Sequence, residues 1–396
     1  VDINVIRDLS YQLKDIAKGL SFLGHPRYPL KELYLLFPQH RTFIDCLEDV
    51  SVPFPVNVVA KRKSMDEFRK RLVESDISLA MKSVFSQRLQ DYGHLLTMME
   101  NFGKPKFYEH TVHLYGSSRR YAKNQAFPYF VDQMPSYCME DTSLACYKGD
   151  DGINYMRQKL AETFDTGDFE VRPSSSLLSD SSAGRRVVKL NPHKLYTTRY
   201  LDIFVVHEGW VHLGTSLNGA AQPDHPWLST WAPRTTFLQE GLAILVELIT
   251  GNMTLKRWNR VILRHIATSM AERGSSIREV YYFFIHGGME ELDAFKLTLR
   301  VFRGVPFEGG MAFTKELLYL HGMVEILYHL HFYKTSLKSM WVGKVSFDEH
   351  LLLMDKRNNF ELNIKYFPKA LEHPVTLARL EKLKELSFSL FRHGFL

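Results

Sequence analysis

For most of its length the chain places its apolar residues at helical spacing. Val5, Ile6, Leu9, Leu13, Ile16 and Leu20 recur every three or four positions and predict an amphipathic helix over 4–20 with one buried stripe. Residues 26–56 carry several prolines and read as irregular with a short helix. Ser64 with Glu67 has capping-box spacing and predicts a helix over 65–75, while Asp76 is placed to cap a long helix running to Gly103. Residues 106–150 mix aromatics, Gly and Pro, include YAKNQAFPYF, and read as loops around an interface between lobes. A helix near 152–164 follows. Next come two runs of strand character, FEVRP at 169–173 and RRVVKL at 185–190, joined by a Ser-rich link.

The remainder is helical in pattern. Helices are expected over 201–219, 235–251, 255–272, 276–286 and 290–303, with Gly251 ending one and Gly274 following another. Residues 313–333 form a long apolar helix interrupted by Gly322, and 375–393 an amphipathic closing helix. No internal repeat or low-complexity segment is visible. The expected class is α+β, predominantly helical, with a small sheet and a helical N-terminal region over 1–105. Residues 106–396 make up the rest, either as a second domain or as one continuous unit with the first.

With 396 residues, 45% hydrophobic and 24% charged, the chain has ample material for a core and is not of the disordered class. Its net charge of +6 favours acidic partners. The basic residues are dispersed, with short clusters only at Lys61–Lys63 and Arg119–Arg120, so no nucleic-acid stripe is expected. Cys46, Cys138 and Cys146 form no paired framework, which fits a reducing, cytoplasmic compartment. No run approaches the ~20 apolar residues that span a bilayer, and no signal peptide is visible. The chain opens on Val1, which leaves room for an upstream segment.

The chemistry concentrates in LDIFVVHEGWVHLGTSLNG, residues 201–219, where His207, Glu208 and His212 interrupt an apolar helical run. The familiar zinc-hydrolase signature HExxH sets two imidazoles at i and i+4 on one face, with the Glu as general base. Here the spacing is HExxxH, and in a regular α-helix His207 and His212 would diverge by about 140°. A metal site therefore requires a π-type bulge between them, which Gly209 would ease. Without one, Glu208 and His212 are merely an i, i+4 pair. Glu240, in TTFLQEGLAILVELITG over 235–251, is flanked by Phe237, Leu238, Leu242, Ala243, Leu245 and Val246. A carboxylate facing inward there must be paired or bind metal, so it is the candidate third ligand. His225 and His286 are less suited, each lying in a turn-rich segment. Glu247, seven residues on, could orient a ligand.

HEGWVH, LQEGLA at 238–243, RVFRG and AFTKELLYLHG resemble the bacterial QEGLA-motif proteins, labelled flavohemoglobin expression-modulating. These are similar to the eukaryotic microtubule-associated tyrosine carboxypeptidases, in which HExxxH and a downstream Glu form a zinc peptidase site. The motifs span about 187–334, and GKPKFYEHTVHLYG at 103–116 extends the likeness. The resemblance implies Zn2+ held by His207, His212 and Glu240, Glu208 as base, and a zincin-like core in 106–396. Gly209, Trp210 and Val211 stand where the eukaryotic proteins carry a small-residue insert of Ile-Gly-Thr type.

Amide hydrolysis also needs a donor for the charge that develops on the carbonyl oxygen. Tyr319 is the candidate, one helical turn after Lys315 in FTKELLYLHG. Arg300 and Arg303 of RVFRG, with Lys315, could hold a substrate carboxylate; the alternative for the arginines is a structural ion pair with Glu308 or Glu316. His321, His329 and His331 share one apolar helix and read as packing. Two functions follow: a zinc metallopeptidase of carboxypeptidase kind acting on peptide or protein substrates, acidic ones among them, or a non-catalytic regulatory protein with a structural metal.

Overall fold

The computed structural model describes residues 3–20, 56–121, 127–175, 177, 179–358 and 360–391. The expectation for 26–55 and the cysteine at 46 lie outside them. The chain is predominantly helical α+β and divides into two compact units, each made of two stretches: Val1–Arg120 with Ile262–Leu317, and Tyr121–Val261 with Leu318–Leu396. Among the described residues no helix is long and apolar enough to cross a membrane.

In the first unit, helix Ile3–Ala17 buries Ile6, Leu9, Leu13 and Ile16, the stripe its spacing predicts. The next helix begins earlier than the Ser64–Glu67 pattern indicates. It spans Val58–Glu74 and is capped by Asn57, whose side chain accepts from Ala60 N, while Ser64 sits inside it and returns its hydroxyl to Ala60 O. Likewise the long helix is Leu79–Glu100, capped by Ser78 and not Asp76. The stretch read as loops contains helix Pro105–Tyr115, with Pro105 at its first turn and Phe107, Thr111, Leu114 and Tyr115 buried. Its i, i+4, i+7, i+8 spacing was masked by the surrounding aromatics and glycines. Phe107 lies where Gly304, at φ 74°, has no side chain: a Cβ there would meet its ring at 2.4 Å. Helices Ile277–His286 and Glu291–Val301 also belong to this unit, the former with the Ser276–Glu279 capping box.

The second unit carries the sheets. Strands Glu170–Pro173 and Ser181–Ala183 flank Val187–Leu190, the first parallel to it and the second antiparallel. FEVRP and RRVVKL are therefore parallel neighbours, and the Ser-rich link contributes a strand of its own. Ala145–Tyr147 pairs separately with Tyr196–Thr197. Val171, Val188 and Leu190 on one face of the larger sheet join Ile153, Met156 and Leu160 of helix Asp150–Ala161 and Leu201, Phe204, Val205 and Leu213 in one buried cluster. Each such side chain contributes roughly 1.5–3 kcal/mol by burial, so the helical run 198–220 crossing the sheet is held firmly on this side. Helices Thr235–Ile249, Leu318–Phe332, Phe347–Met354 and Pro374–Phe391 follow. Leu318–Phe332 runs unbroken through Gly322, contrary to the interruption expected there, and a 3-10 turn at Thr314–Leu317 precedes it.

Candidate metal centre

Thr197 caps the crossing helix by accepting from Tyr200 N, and Thr198–Phe204 is ordinary α-helix. At Val205–Leu213 the backbone changes to π-helix, and Gly214 N–H reaches back five residues to Gly209 O. The wider turn carries His212 round to the side of His207, and their ring centroids stand 4.9 Å apart with the planes at 87°. Side chains occupy the carbonyls of this segment. Trp341 Nε1 donates to Trp210 O at 2.8 Å, Thr215 Oγ1 to Val211 O at 2.7 Å, and Ser216 Oγ and Lys344 Nζ each to His212 O at 2.8 Å. Gly209 is needed for room as well as for backbone freedom, since a Cβ there would fall 2.1 Å from Leu160 Cδ2 in the core.

Glu240, buried on helix Thr235–Ile249, faces the two imidazoles. Its Oε2 lies 3.4 Å from His207 Nε2 and 3.7 Å from His212 Nε2. Tetrahedral donors bound at roughly 2.0–2.1 Å stand about 3.4 Å apart, so these separations suit one ion. Among the described residues these three form a group whose donor atoms all lie within 4.8 Å of one another and could hold a metal. The glycine of the LQEGLA segment explains how Glu240 comes so close to its neighbours. A Cβ on Gly241 would fall 2.1 Å from Gly322 C, and one on Gly322 would fall 2.2 Å from Phe237 O. The two helices thus touch backbone to backbone. Tyr319, one turn before Gly322, is brought to a ring separation of 6.3 Å from His207 at 23°.

Behind His207, Glu247 Oε1 accepts a hydrogen bond from Nδ1 at 2.6 Å. Because a carboxylate only accepts, Nδ1 carries a proton, and Nε2 is the ring atom that faces Glu240 and could ligate a metal. Glu247 is itself gripped by Arg257 through Nε to Oε2 and Nη2 to Oε1, both at 3.1 Å. Burial raises the pKa of Glu247, but Arg257 and His207 overcome it and hold it low. For His207 burial likewise opposes the charge, and Glu240 and Glu247 prevail, raising its pKa to about 10. His212 is lowered by burial, against Glu240. Its Nδ1 faces Gln239 Oε1 at 3.4 Å, an oxygen that accepts from Lys344 Nζ at 2.7 Å and lies 2.8 Å from Thr215 Oγ1. Burial pushes Lys344 down to about 7, against the pull of Glu240 and Glu208.

Glu208 is half-buried beside His207. The other residues singled out from sequence are distributed differently. Arg300, Arg303 and Lys315 belong to the first unit and are largely buried there. Arg300 Nη2 pairs with Glu316 Oε1 at 2.6 Å, the ion pair left open above, and Arg264 Nη1 holds the other oxygen at 3.0 Å. Arg303 lies over the Phe313 ring at 6.0 Å. His225 packs against Phe360 and Trp227, His286 ends its helix, and neither joins the metal group. His321 stacks on Tyr121 at 3.8 Å. Sequence reasoning missed Arg257, Gln239 and Lys344. Gln239 stood inside LQEGLA and Arg257 ten residues past Glu247, whereas Lys344, 105 residues from Gln239, left no local signal.

No curated protein sequence matches the chain. Residues 46–389, however, match the family model described as microtubule-associated tyrosine carboxypeptidase. With the match covering nearly the whole sequence and the HExxxH helix and LQEGLA helix meeting as described, the chain belongs to the microtubule-associated tyrosine carboxypeptidase family.

Proposed function

We propose that the protein is a zinc-dependent peptidase of carboxypeptidase kind, with His207, His212 and Glu240 as ligands and Glu208 as general base. The observation that carries the reading is the support behind the ligands: Glu247, held by Arg257, accepts a hydrogen bond from Nδ1 of His207 and so turns Nε2 toward Glu240. A structural pairing of histidine and glutamate has no need of that arrangement. Zinc in this set would act as a Lewis acid toward a peptide carbonyl and lower the pKa of a water, three protein donors leaving one position open.

The chain's own groups supply the remaining steps. Glu208 removes the proton of the attacking water and delivers it to the leaving amine. Tyr319 donates its phenol proton toward the carbonyl oxygen as charge develops there. Gln239 and Lys344 keep His212 and the start of the LQEGLA helix in register. A net charge of +6 favours acidic peptides, and the family favours a free carboxyl end. Arg300, already paired with Glu316, is left out of the scheme.

The test is Glu208→Gln, which keeps size while removing the proton acceptor. Zinc content should stay near wild type while hydrolysis falls by roughly 10²–10⁴. Peptides with free and blocked carboxyl ends separate terminal from internal cleavage. Identical behaviour of zinc-loaded wild type and Glu208→Gln across an acidic peptide library would replace catalysis with the structural-metal reading.

A further inference from the structure

In the second unit, the segment Ser136–Met139 and helix Pro374–Phe391 line a half-open cavity of about 340 Å3, with Arg379 half-buried and Lys382 exposed. Arg379 and Lys382 line it from the helix, and at i and i+3 they share one face. Other cations of this region are engaged: Lys384 holds Glu381 at 2.9 Å and Lys338 holds Glu372 at 3.4 Å. Arg379 and Lys382 meet no carboxylate among the described residues. The guanidinium is placed by Gly251, at φ 73°, where a Cβ would fall 2.3 Å from Arg379 Nη1. The carbonyl of the same glycine accepts from Arg199 Nη1 at 3.1 Å, which brings a further cation to this corner.

The opposite wall adds no competing negative charge of its own. Ser136 spends its hydroxyl proton on Gln133 O, Tyr137 presents a phenol, and burial pushes the Cys138 thiol up to about 12, so it is neutral. Two acids lie nearby, Glu385 toward Tyr137 and Asp141 toward Arg199. Glu247 also reaches Cys138 but is matched by Arg257. Cations remain in excess. The wall is built into the turn that ends the Glu240 helix, since Met139 N donates to Met253 O and Met253 N to Glu247 O.

We propose that this cavity binds a small doubly charged oxyanion, a phosphate or a dicarboxylate, with Arg379 as the planar fork and Lys382 as the second charge. Its volume lies at the small end of the roughly 300–1,000 Å3 of ligand pockets, which suits a compact anion and not a long peptide. The site is separate from the candidate metal centre and does not depend on the peptidase reading.

The experiment is calorimetric titration of the full chain with inorganic phosphate and, separately, succinate, each with and without a chelator and against a chloride control. The expected result is saturable uptake of about one anion per chain, unchanged by the chelator and weakened at least about tenfold in Arg379→Gln and in Lys382→Gln with circular dichroism unaltered. Whichever anion binds more tightly identifies the source. Equal binding by the double variant, uptake no stronger than chloride, or uptake abolished by the chelator and hence located on a metal would each overturn the proposal.

Discussion

Replacing Gly241 with Ala tests whether the close helix crossing sets the metal centre. The new Cβ would stand 2.1 Å from Gly322 C, 2.5 Å from Met323 N and 2.6 Å from Gly322 Cα, all backbone atoms that cannot rotate away. Ordinary contact begins near 3.4 Å, so one helix must recede by 3.4 − 2.1 = 1.3 Å or more. Metal coordination tolerates about ±0.2 Å, and Glu240 is the residue next to the intruding methyl. Overpacking of this kind costs about 1–3 kcal/mol or more of stability, and the shift should also pull Glu240 away from the two imidazoles. The assay is denaturant unfolding together with zinc content after dialysis. Gly167→Ala serves as control, because a Cβ there meets nothing within 4 Å. If Gly241→Ala unfolds at the wild-type midpoint and keeps its full complement of metal, the backbone contact is not what positions Glu240.

Further outcomes are expected. His207→Ala and His212→Ala should each strip bound zinc, and retention of zinc in both, measured by elemental analysis, would eliminate the assigned ligand set. Glu247→Gln should weaken zinc binding about 10–100-fold in a competition titration without removing a ligand, and unchanged affinity would deny Glu247 its orienting role. In the first unit, burial would raise the pKa of Glu316, but Arg300, Arg264 and Lys315 lower it to about 2 from its ordinary 4.5. A folded pKa below the unfolded one gives stability that is complete above pH 4.5 and lost as pH falls toward 2, about 3 kcal/mol in all. Chemical denaturation of wild type and Glu316→Gln from pH 6 to 3 should converge as pH falls, and a constant difference would show that Glu316 does not titrate in this window.

The sequence carried the local part of the picture well. Spacing alone made a metal site shared by His207 and His212 incompatible with a regular helix, and the structure has the π-turns that such a site requires. Glu240 was legible because an acid among Leu, Ala and Val is conspicuous. Boundaries were less legible where short polar residues compete: Ser64–Glu67 has the spacing of a cap, yet Asn57 does the capping because the helix is already formed by then. Gly322 read as an interruption, since sequence cannot distinguish a glycine that breaks a helix from one that admits another backbone. That the first unit is closed by Ile262–Leu317 was out of reach too, as no local pattern announces a returning segment. Lys344 was hidden for the same reason: its partners His212 and Gln239 are more than a hundred residues away.

The π-helical stretch also confines the effect of the motif's extra residue. The wider turns absorb it on the spot, so His212 stands on the side of His207 and the residues after it face as they would in a plain α-helix one residue shorter. Removing Trp210 would leave HEGVH, the commoner HExxH spacing, with both imidazoles again on one face. Asn218, whose side chain donates to Trp341 O at 2.9 Å and Tyr366 O at 2.8 Å and accepts from Tyr366 N at 2.8 Å, would keep its facing. What would be lost is local: the carbonyl of Trp210, which now accepts from Trp341 Nε1 at 2.8 Å. The two spacings are therefore one deletion apart, and a chain can exchange one motif for the other without repacking its downstream half.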